Sequence, residues 1–422
     1  MKANNFGKHG WWIIIFTLFI YMFTSTAPDI LNVTTTGFAE RFGMASGDPL
    51  LIFAAIGGFV GIPLALIVGQ VISKKGVKGP AVVLLFILAI VWFLYGRCET
   101  FTQYAVIATI VAALANVGNL VITQQLMSNW FPKKKGTALG WATVGMPLDS
   151  AITVAVFQAL IVKKGLSAPF YMMCIIFVIL AIVMIIAVKA YPEEAGAYPD
   201  NEPISEEERK ANLEALTNYK SEITVGKMFK IKDFWLLVIT FGFLFIGLIG
   251  IMSQMVPRMV SIGLDTNSAI MWLTIASVVG IPGSIAWGIV DQKIGTKKTT
   301  IIFSALWAIM TLLAAIGCGM GSIPISIASV VMVSCLQGGL GNLMPSMVIN
   351  VFGRYDFAQA NKLVVPFVVG IRTLAFIIMP MILGMSATAS AGYAKIFVVF
   401  TVLTVIALIS ACGLSKETIG KK

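Results

Sequence analysis

The 422-residue chain is 58% hydrophobic and only 12% charged, with a formal net charge of +11, far from the roughly 25% charged residues of soluble domains. That balance excludes a soluble enzyme and places the chain in a membrane. The positive charge does not make it a nucleic-acid binder, because a basic binding face needs clustered Lys and Arg, and here they fall in short gaps between apolar runs.

A membrane-crossing helix takes about 20 apolar residues. That ruler marks spans near 11–32, 50–72, 80–96, 103–127, 138–161 and 168–190 and, after a polar stretch, 233–257, 268–290, 299–318, 324–348, 363–385 and 392–413. The first is too long for the apolar core of a signal peptide and is expected to be retained. It carries Thr24, Ser25 and Thr26, with Asp29 nearer its outer end. The second holds Gly61, Pro63 and Gly69, and its closing loop contains Ser73 and Gly76. In the fourth, Asn116, Asn119 and Thr123 are spaced to share one helical face, and Gln124 and Gln125 follow. Asp149 lies near the middle of the fifth.

The stretch 191–232 carries nine of the nineteen acids and reads as a solvated linker between two sets of six spans. Ser205 and Glu208 form an S-x-x-E capping box there, which predicts a short amphipathic helix. Beyond it, the seventh span ends in Ser253 and Gln254. The eighth repeats the pattern of the second with Gly280, Pro282 and Gly288, followed by Asp291, Gln292 and Gly295. The tenth holds Ser334, Gln337 and Asn342, its GNL at 341–343 echoing GNL at 118–120, and Arg372 lies near the middle of the eleventh. The organisation expected is all-α: a six-helix bundle over 1–190, a linker over 191–232 and a second six-helix bundle over 233–422.

The second and eighth spans contain one phrase written twice. VGIPLALIVGQVISKKGVKG at 60–79 and VGIPGSIAWGIVDQKIGTKK at 279–298 align without a gap, 219 residues apart, and an internal repeat governs the fold. Six spans separate the copies, so both lie the same way up, which relates the two halves by a pseudo-twofold axis along the membrane normal. Of the 30 Lys and Arg, 23 fall in the tails, the linker and the loops after even-numbered spans. The excess of cations marks the cytoplasmic side, so both termini are expected inside the cell, in a multi-pass protein of the inner (plasma) membrane. The five cysteines show no metal-ligand spacing, and the single histidine, His9, lies in the N-terminal tail. No metal site and no cofactor is expected.

Twelve spans, a central loop and the doubled G-x(6)-G-x-[KR] loop resemble the major facilitator superfamily over essentially the whole chain. The family's loop usually reads G-x-x-x-D-[RK]-x-G-[RK]-[RK]. Here Ser73 and Gln292 occupy the Asp slots, with Asp291 one residue early. In the family that Asp helps to lock the cytoplasmic gate, so the resemblance assigns gating to Gly69, Ser73, Gly76, Gly288, Asp291 and Gly295. Gly76 and Gly295 are expected to end tight turns where a Cβ would clash. NWFPKKKGTALGWATVG at 129–145 and KMFKIKDFWLLVITF before the seventh span are similar to stretches of oxalate/formate-type antiporters and related monocarboxylate carriers. The family's fold surrounds a central cavity with spans 1, 4, 7 and 10. By that resemblance Asn116, Asn119, Thr123, Gln124, Gln254, Gln337 and Asn342 are candidate substrate contacts, with Thr24, Ser25, Thr26 and Ser253 beside them. Hydrogen bonding between helices is the alternative for each.

Charges inside spans discriminate best, since they face a bundle interior or a wet cavity by default. A guanidinium fork at Arg372 matches a carboxylate, and Asp149, with Asp29, is the candidate counter-charge or proton carrier for coupling. A structural Asp149–Arg372 ion pair is the alternative. Oxalate/formate-type carriers also place a basic residue in span 8, which is absent here, and one fixed cation favours a monoanion. The expectation is therefore a monomeric secondary transporter of small organic anions, an antiporter or proton symporter, surrounded by lipid and with no nucleic-acid partner. Efflux of lipophilic drugs by proton antiport, favoured by 21 Met and 27 Phe, is the rival, and a transporter-like sensor the more distant one. An enzyme is disfavoured because the spans hold no His and no recognisable catalytic constellation. No GxxxxGK[ST] loop is present for ATP.

Overall fold

The computed structural model describes residues 5–132, 134–203, 205 and 224–415. The side chain of Ser73, and Glu208 of the expected capping box, lie outside the described residues. Among the described residues twelve helices are long and apolar enough to cross a membrane: α1 Gly7–Asp29, α2 Asp48–Ile72, α3 Lys78–Gly96, α4 Phe101–Trp130, α5 Gly136–Lys164, α6 Ala168–Ile186, α7 Lys232–Ser253, α8 Thr266–Ile294, α9 Thr296–Gly319, α10 Ile323–Gly353, α11 Gln359–Gly384 and α12 Ala389–Gly413. No strand occurs among the described residues. Polar caps start several helices where the chain enters the bilayer. The Thr100 hydroxyl accepts from the Gln103 N–H, the Asp265 carboxylate from the Ser268 N–H and the Thr388 hydroxyl from the Ala391 N–H, opening α4, α8 and α12. Each satisfies a donor that a helix start leaves open.

Two hydrophobic clusters organise the interior. One draws only on residues up to 190, and the other mainly on residues from 228 to 414. Trp92 stacks with Phe177 in the first, and Phe303 with Trp307 in the second. The chain ends and the linker meet at one face, called here the linker face: Asp200 accepts from the Lys134 backbone N–H, and Asp233 from Ser415. The repeated spans cross between the clusters, with α2 packing on α11 and α8 on α5. Gly76 (φ 76°) and Gly295 (φ 85°) close α2 and α8, and both lie in the left-handed region that only Gly enters freely. A Cβ at either would meet nothing within 4 Å. The expected steric clash is therefore corrected: backbone conformation is what requires Gly there.

Several departures from regular helix shape the interior. α4 widens into a π-helical turn over Gly118–Ile122, and α5 does the same over Asp149–Thr153. α7 stops at Ser253, breaks at Gln254 and resumes as a short helix, Met255–Ser261. α1 gives way beyond Pro28 and Asp29 to an outer helix, Leu31–Arg41. Arg258, just past the expected end of the seventh span, is buried in the resumed helix, donating to Ser329 Oγ at 3.2 Å and lying 5.1 Å from the Phe397 ring centroid.

Candidate functional site: a central cavity between two closures

A cavity of about 80 Å³ lies between the two clusters, with Thr24, Ser25 and Asp29 of α1, Asn116 and Asn119 of α4, Phe245 of α7, Gln337 of α10 and Arg372 of α11 on its walls. Roughly 10–15 Å³ of such space holds one water, so several waters or one small carboxylate fit. Asp29 and Arg372 are the only charged residues on the wall among those described. The Arg372 side chain is buried, donates through Nη2 to Asn116 Oδ1 and lies 5.6 Å from the Phe245 ring centroid. No carboxylate pairs with it among the described residues. Gln337 Nε2 is buried and has no hydrogen-bond acceptor there either. Asn119 donates to the Thr24 and Ser25 hydroxyls, each at 3.2 Å. The wall thus offers a fixed cation and a free amide N–H from the second half of the chain and a carboxyl group from the first.

Asp149 does not line this cavity and does not pair with Arg372. It is fully buried against α1, where Thr26 Oγ1 donates to its Oδ1 at 2.7 Å, and its neighbour Ser150 donates to Asp29 Oδ2. Asp29 and Asp149 approach within hydrogen-bonding reach of each other. The structure therefore joins the two acids, where the sequence had suggested an acid–base pair.

Of the remaining candidates, Thr123 turns its hydroxyl back to the Asn119 carbonyl, while Gln124 accepts from Asn361 of α11 at 2.9 Å. Ser253 donates to the Gly250 carbonyl, and Gln254 sits at the α7 break, accepting from the Tyr393 hydroxyl at 2.9 Å. Asn342 is buried beside Gly288, nearer the linker face. None of these lines the cavity.

On the linker side, α5 and α8 cross at Gly140 and Gly288, where a Cβ on Gly288 would stand 3.1 Å from the Gly136 carbonyl oxygen. Asp291 Oδ2 lies against Gly136 in the first turn of α5, the end of a helix that attracts negative charge. Gln292 donates to Thr137 Oγ1 across the same seam. The α2–α11 seam is more polar, with Lys362 Nζ donating to Gln70 Oε1 at 2.8 Å. Gly69, Gly76 and Gln125 line a second cavity there, of about 390 Å³.

On the opposite side the closure rests on Asn32, which the sequence reading missed. Its Nδ2 donates to the Met252 carbonyl at 2.7 Å, and its Oδ1 accepts from the Val256 N–H at 2.9 Å. Both backbone groups flank the α7 break, so one side chain from the first half of the chain binds the groups next to an interruption in the second half. Thr274 of α8 adds a bond to the Ala151 carbonyl of α5 at 3.1 Å.

A family model for the Major Facilitator Superfamily matches residues 14–371. The chain is 24% identical over 294 residues to an oxalate:formate antiporter of Oxalobacter formigenes, an alignment spanning 67% of this chain and 66% of that relative's length. Among solved structures, the proton:xylose symporter XylE bound to 6-bromo-6-deoxy-D-glucose is similar with a TM-score of 0.73 at 11% identity, covering 93% of this chain and 94% of that one. A D-xylose-proton symporter structure is similar with a TM-score of 0.73 at 12% identity, covering 98% and 99%. At these identities the two structures carry the fold alone.

Proposed function

The chain belongs to the major facilitator superfamily, and from that membership we propose that this multi-pass membrane transporter carries small organic anions, monocarboxylates before dicarboxylates, by alternating access. The observation that carries the reading is Arg372: a buried guanidinium on the cavity wall, with no carboxylate partner among the described residues. Burying an unpaired charge is costly, and a substrate carboxylate supplies the missing partner in a geometry that a guanidinium fork fits. Asn116, Asn119 and Gln337 orient it. Arg372 is the single fixed cation on the wall among the described residues, and one positive charge favours a monoanion over a dianion. The antiporter relative, named for oxalate and formate, supports the anion class and exchange as the mode of transport.

In this reading the linker face, which the 23 cations of the tails, linker and even-numbered loops surround, is the cytoplasmic one, and the membrane is the cell's inner membrane. Opening toward the cytoplasm parts the α5–α8 and α2–α11 seams, and opening outward parts Asn32 from α7. The rival cargo, a lipophilic solute, would lean on Phe245, Phe376 and Met252 of the same wall and would not need Arg372.

Calorimetry on purified protein with formate, acetate and oxalate separates the two. Arg372→Ala should lose carboxylate binding, since removing one partner of a buried charge-assisted contact costs about 2–5 kcal/mol. Arg372→Lys should keep part of it, because charge survives while the bidentate fork is lost. Carboxylate affinity unchanged in a folded Arg372→Ala protein would refute the reading.

A further inference from the structure

Asp29 and Asp149 face each other across the α1–α5 contact, and no cation among the described residues pairs with either of them. Asp29 is 5% exposed and Asp149 0%, and their carboxyl groups lie within hydrogen-bonding reach. Ser150 donates to Asp29 Oδ2, and Thr26 donates to Asp149 Oδ1. Asp149 Oδ2 is buried with no donor among the described residues. The groups that neighbouring helices turn toward the pair are uncharged: Thr26 from α1, Ser150 and Thr153 from α5, and Asn32 from the outer helix, which donates to the Asp29 carbonyl. From α8, Thr274 bonds the Ala151 carbonyl next to them. Arg372, which lines the same cavity as Asp29, is occupied with Asn116.

Two carboxylates each offer only acceptors. Brought into contact in a dry site they cannot both be ionised, and a proton between them is the donor that the arrangement lacks.

We propose that Asp29 and Asp149 form a single proton-binding site, holding one proton between them when the cavity is empty and a second when an anion occupies Arg372. The second step rests on the anion reading above. Its logic is the charge of the cavity region. Empty, the Arg372 cation is balanced by the one negative charge of the half-protonated pair. A bound monoanion makes the region net negative, and a proton taken from water onto the remaining carboxylate restores neutrality. A neutral region is the form least costly to carry through a closed, low-dielectric state. Asp29, on the cavity wall, gives the proton its way in, and Asp149 behind it holds the site against α1. Loading thus ties one proton to one monoanion.

Infrared difference spectroscopy reads the pair directly, because a protonated carboxylic acid has a carbonyl band separate from that of a carboxylate. Purified wild-type protein at neutral pH should show this band from a buried group that exchanges slowly with D2O. Asp29→Asn and Asp149→Asn should each abolish it, since the neighbouring amide can donate to the remaining carboxylate and lets it ionise. The Asn side chain keeps size and hydrogen-bonding capacity, and unchanged melting temperatures would confirm intact folds. No band in wild type, or a band of full intensity in either variant, would overturn the shared proton. Adding formate should strengthen the wild-type band about twofold, and a weakly buffered sample should show one proton taken up per formate bound. If calorimetry shows formate binding while the band stays constant, the coupling step is refuted and the pair is a structural strap. If formate does not bind at all while the band behaves as expected, it is the anion reading that fails, and the proton site stands.

Discussion

Asn32 offers the most direct test of the closure opposite the linker face. Replacing it with Ala removes two inter-cluster hydrogen bonds, at 2.7 Å to the Met252 carbonyl and 2.9 Å to the Val256 N–H, in a place where Asn32 is 7% exposed. Both backbone groups adjoin the break at Gln254. In the closed state they would be left buried and unpaired, at about 1–3 kcal/mol each. Once that face opens, water reaches them, so most of the penalty falls on the closed state alone. A differential of about 2–4 kcal/mol shifts the balance toward the open form by about 30- to 900-fold. Asn32→Asp keeps an acceptor for the Val256 N–H but turns a carboxylate oxygen toward the Met252 carbonyl, two acceptors that repel, so it should destabilise the closed state at least as much as Asn32→Ala.

Electron paramagnetic resonance distances report the shift. Spin labels at Thr102 and Asn267, both exposed and on opposite sides of the seam, should show a longer-distance population in Asn32→Ala, and one at least as large in Asn32→Asp. Exchange should slow in the same order, because closing becomes the costly step. Identical distance distributions in all three proteins would refute the reasoning and leave Asn32 as a local cap on a broken helix.

Gly288→Val should block closure of the linker face, because even a Cβ there would stand 3.1 Å from the Gly136 carbonyl; exchange should collapse while carboxylate affinity in calorimetry is kept, and full exchange would contradict the crossing. Gly69→Val, in the equivalent slot of the first repeat with nothing within 4 Å, should leave exchange rates almost normal. Gly76→Ala and Gly295→Ala should each lower thermal stability by about 1–2 kcal/mol, the penalty of left-handed backbone for a residue with a Cβ, and melting curves equal to wild type would show that the turns relax freely. An impermeant thiol reagent applied to intact cells should label a cysteine placed at Ala387, which is exposed beyond α11, and spare one placed in the linker; the reverse pattern would invert the orientation.

The spans were legible because a run of apolar residues long enough to cross a bilayer has few other fates. Their ends moved where polar caps extended them, as at Asp265 before α8, and where α1 and α7 broke off early at Asp29 and Ser253. Depth along a helix was legible too, which is why Arg372 and Asp149 stood out. Direction around the axis was not. Asn116, Asn119 and Thr123 share a face only if α4 is regular, and the π-helical turn at Gly118–Ile122 inserts a residue between the members of that set. Asn116 and Asn119 reach the cavity, while Thr123 turns to its own helix and Gln124 to α11. A second such turn begins at Asp149 itself, where the residue's neighbour proved to be Asp29. Asn32 was invisible for a related reason: its role exists only because α7 breaks at Gln254, and no Gly stands at that break to announce it.

The repeated phrase shows how far one motif can be read. Its two copies keep the same backbone device, a left-handed Gly closing α2 and α8, since that depends on local φ and ψ alone. What the copies touch has diverged. Gly288 is pressed into the α5 crossing, whereas Gly69 faces open space on the wall of the linker-side cavity. The second copy keeps an acid, Asp291, against the first turn of α5, and the α2–α11 seam is instead bridged by Lys362 and Gln70. One closure is therefore tightly packed at Gly140 and Gly288, and the other is looser, bordering a cavity of about 390 Å³. The looser seam breaks fewer close contacts when it parts, and its hydrogen bonds can pass to water, so it is the cheaper of the two to open.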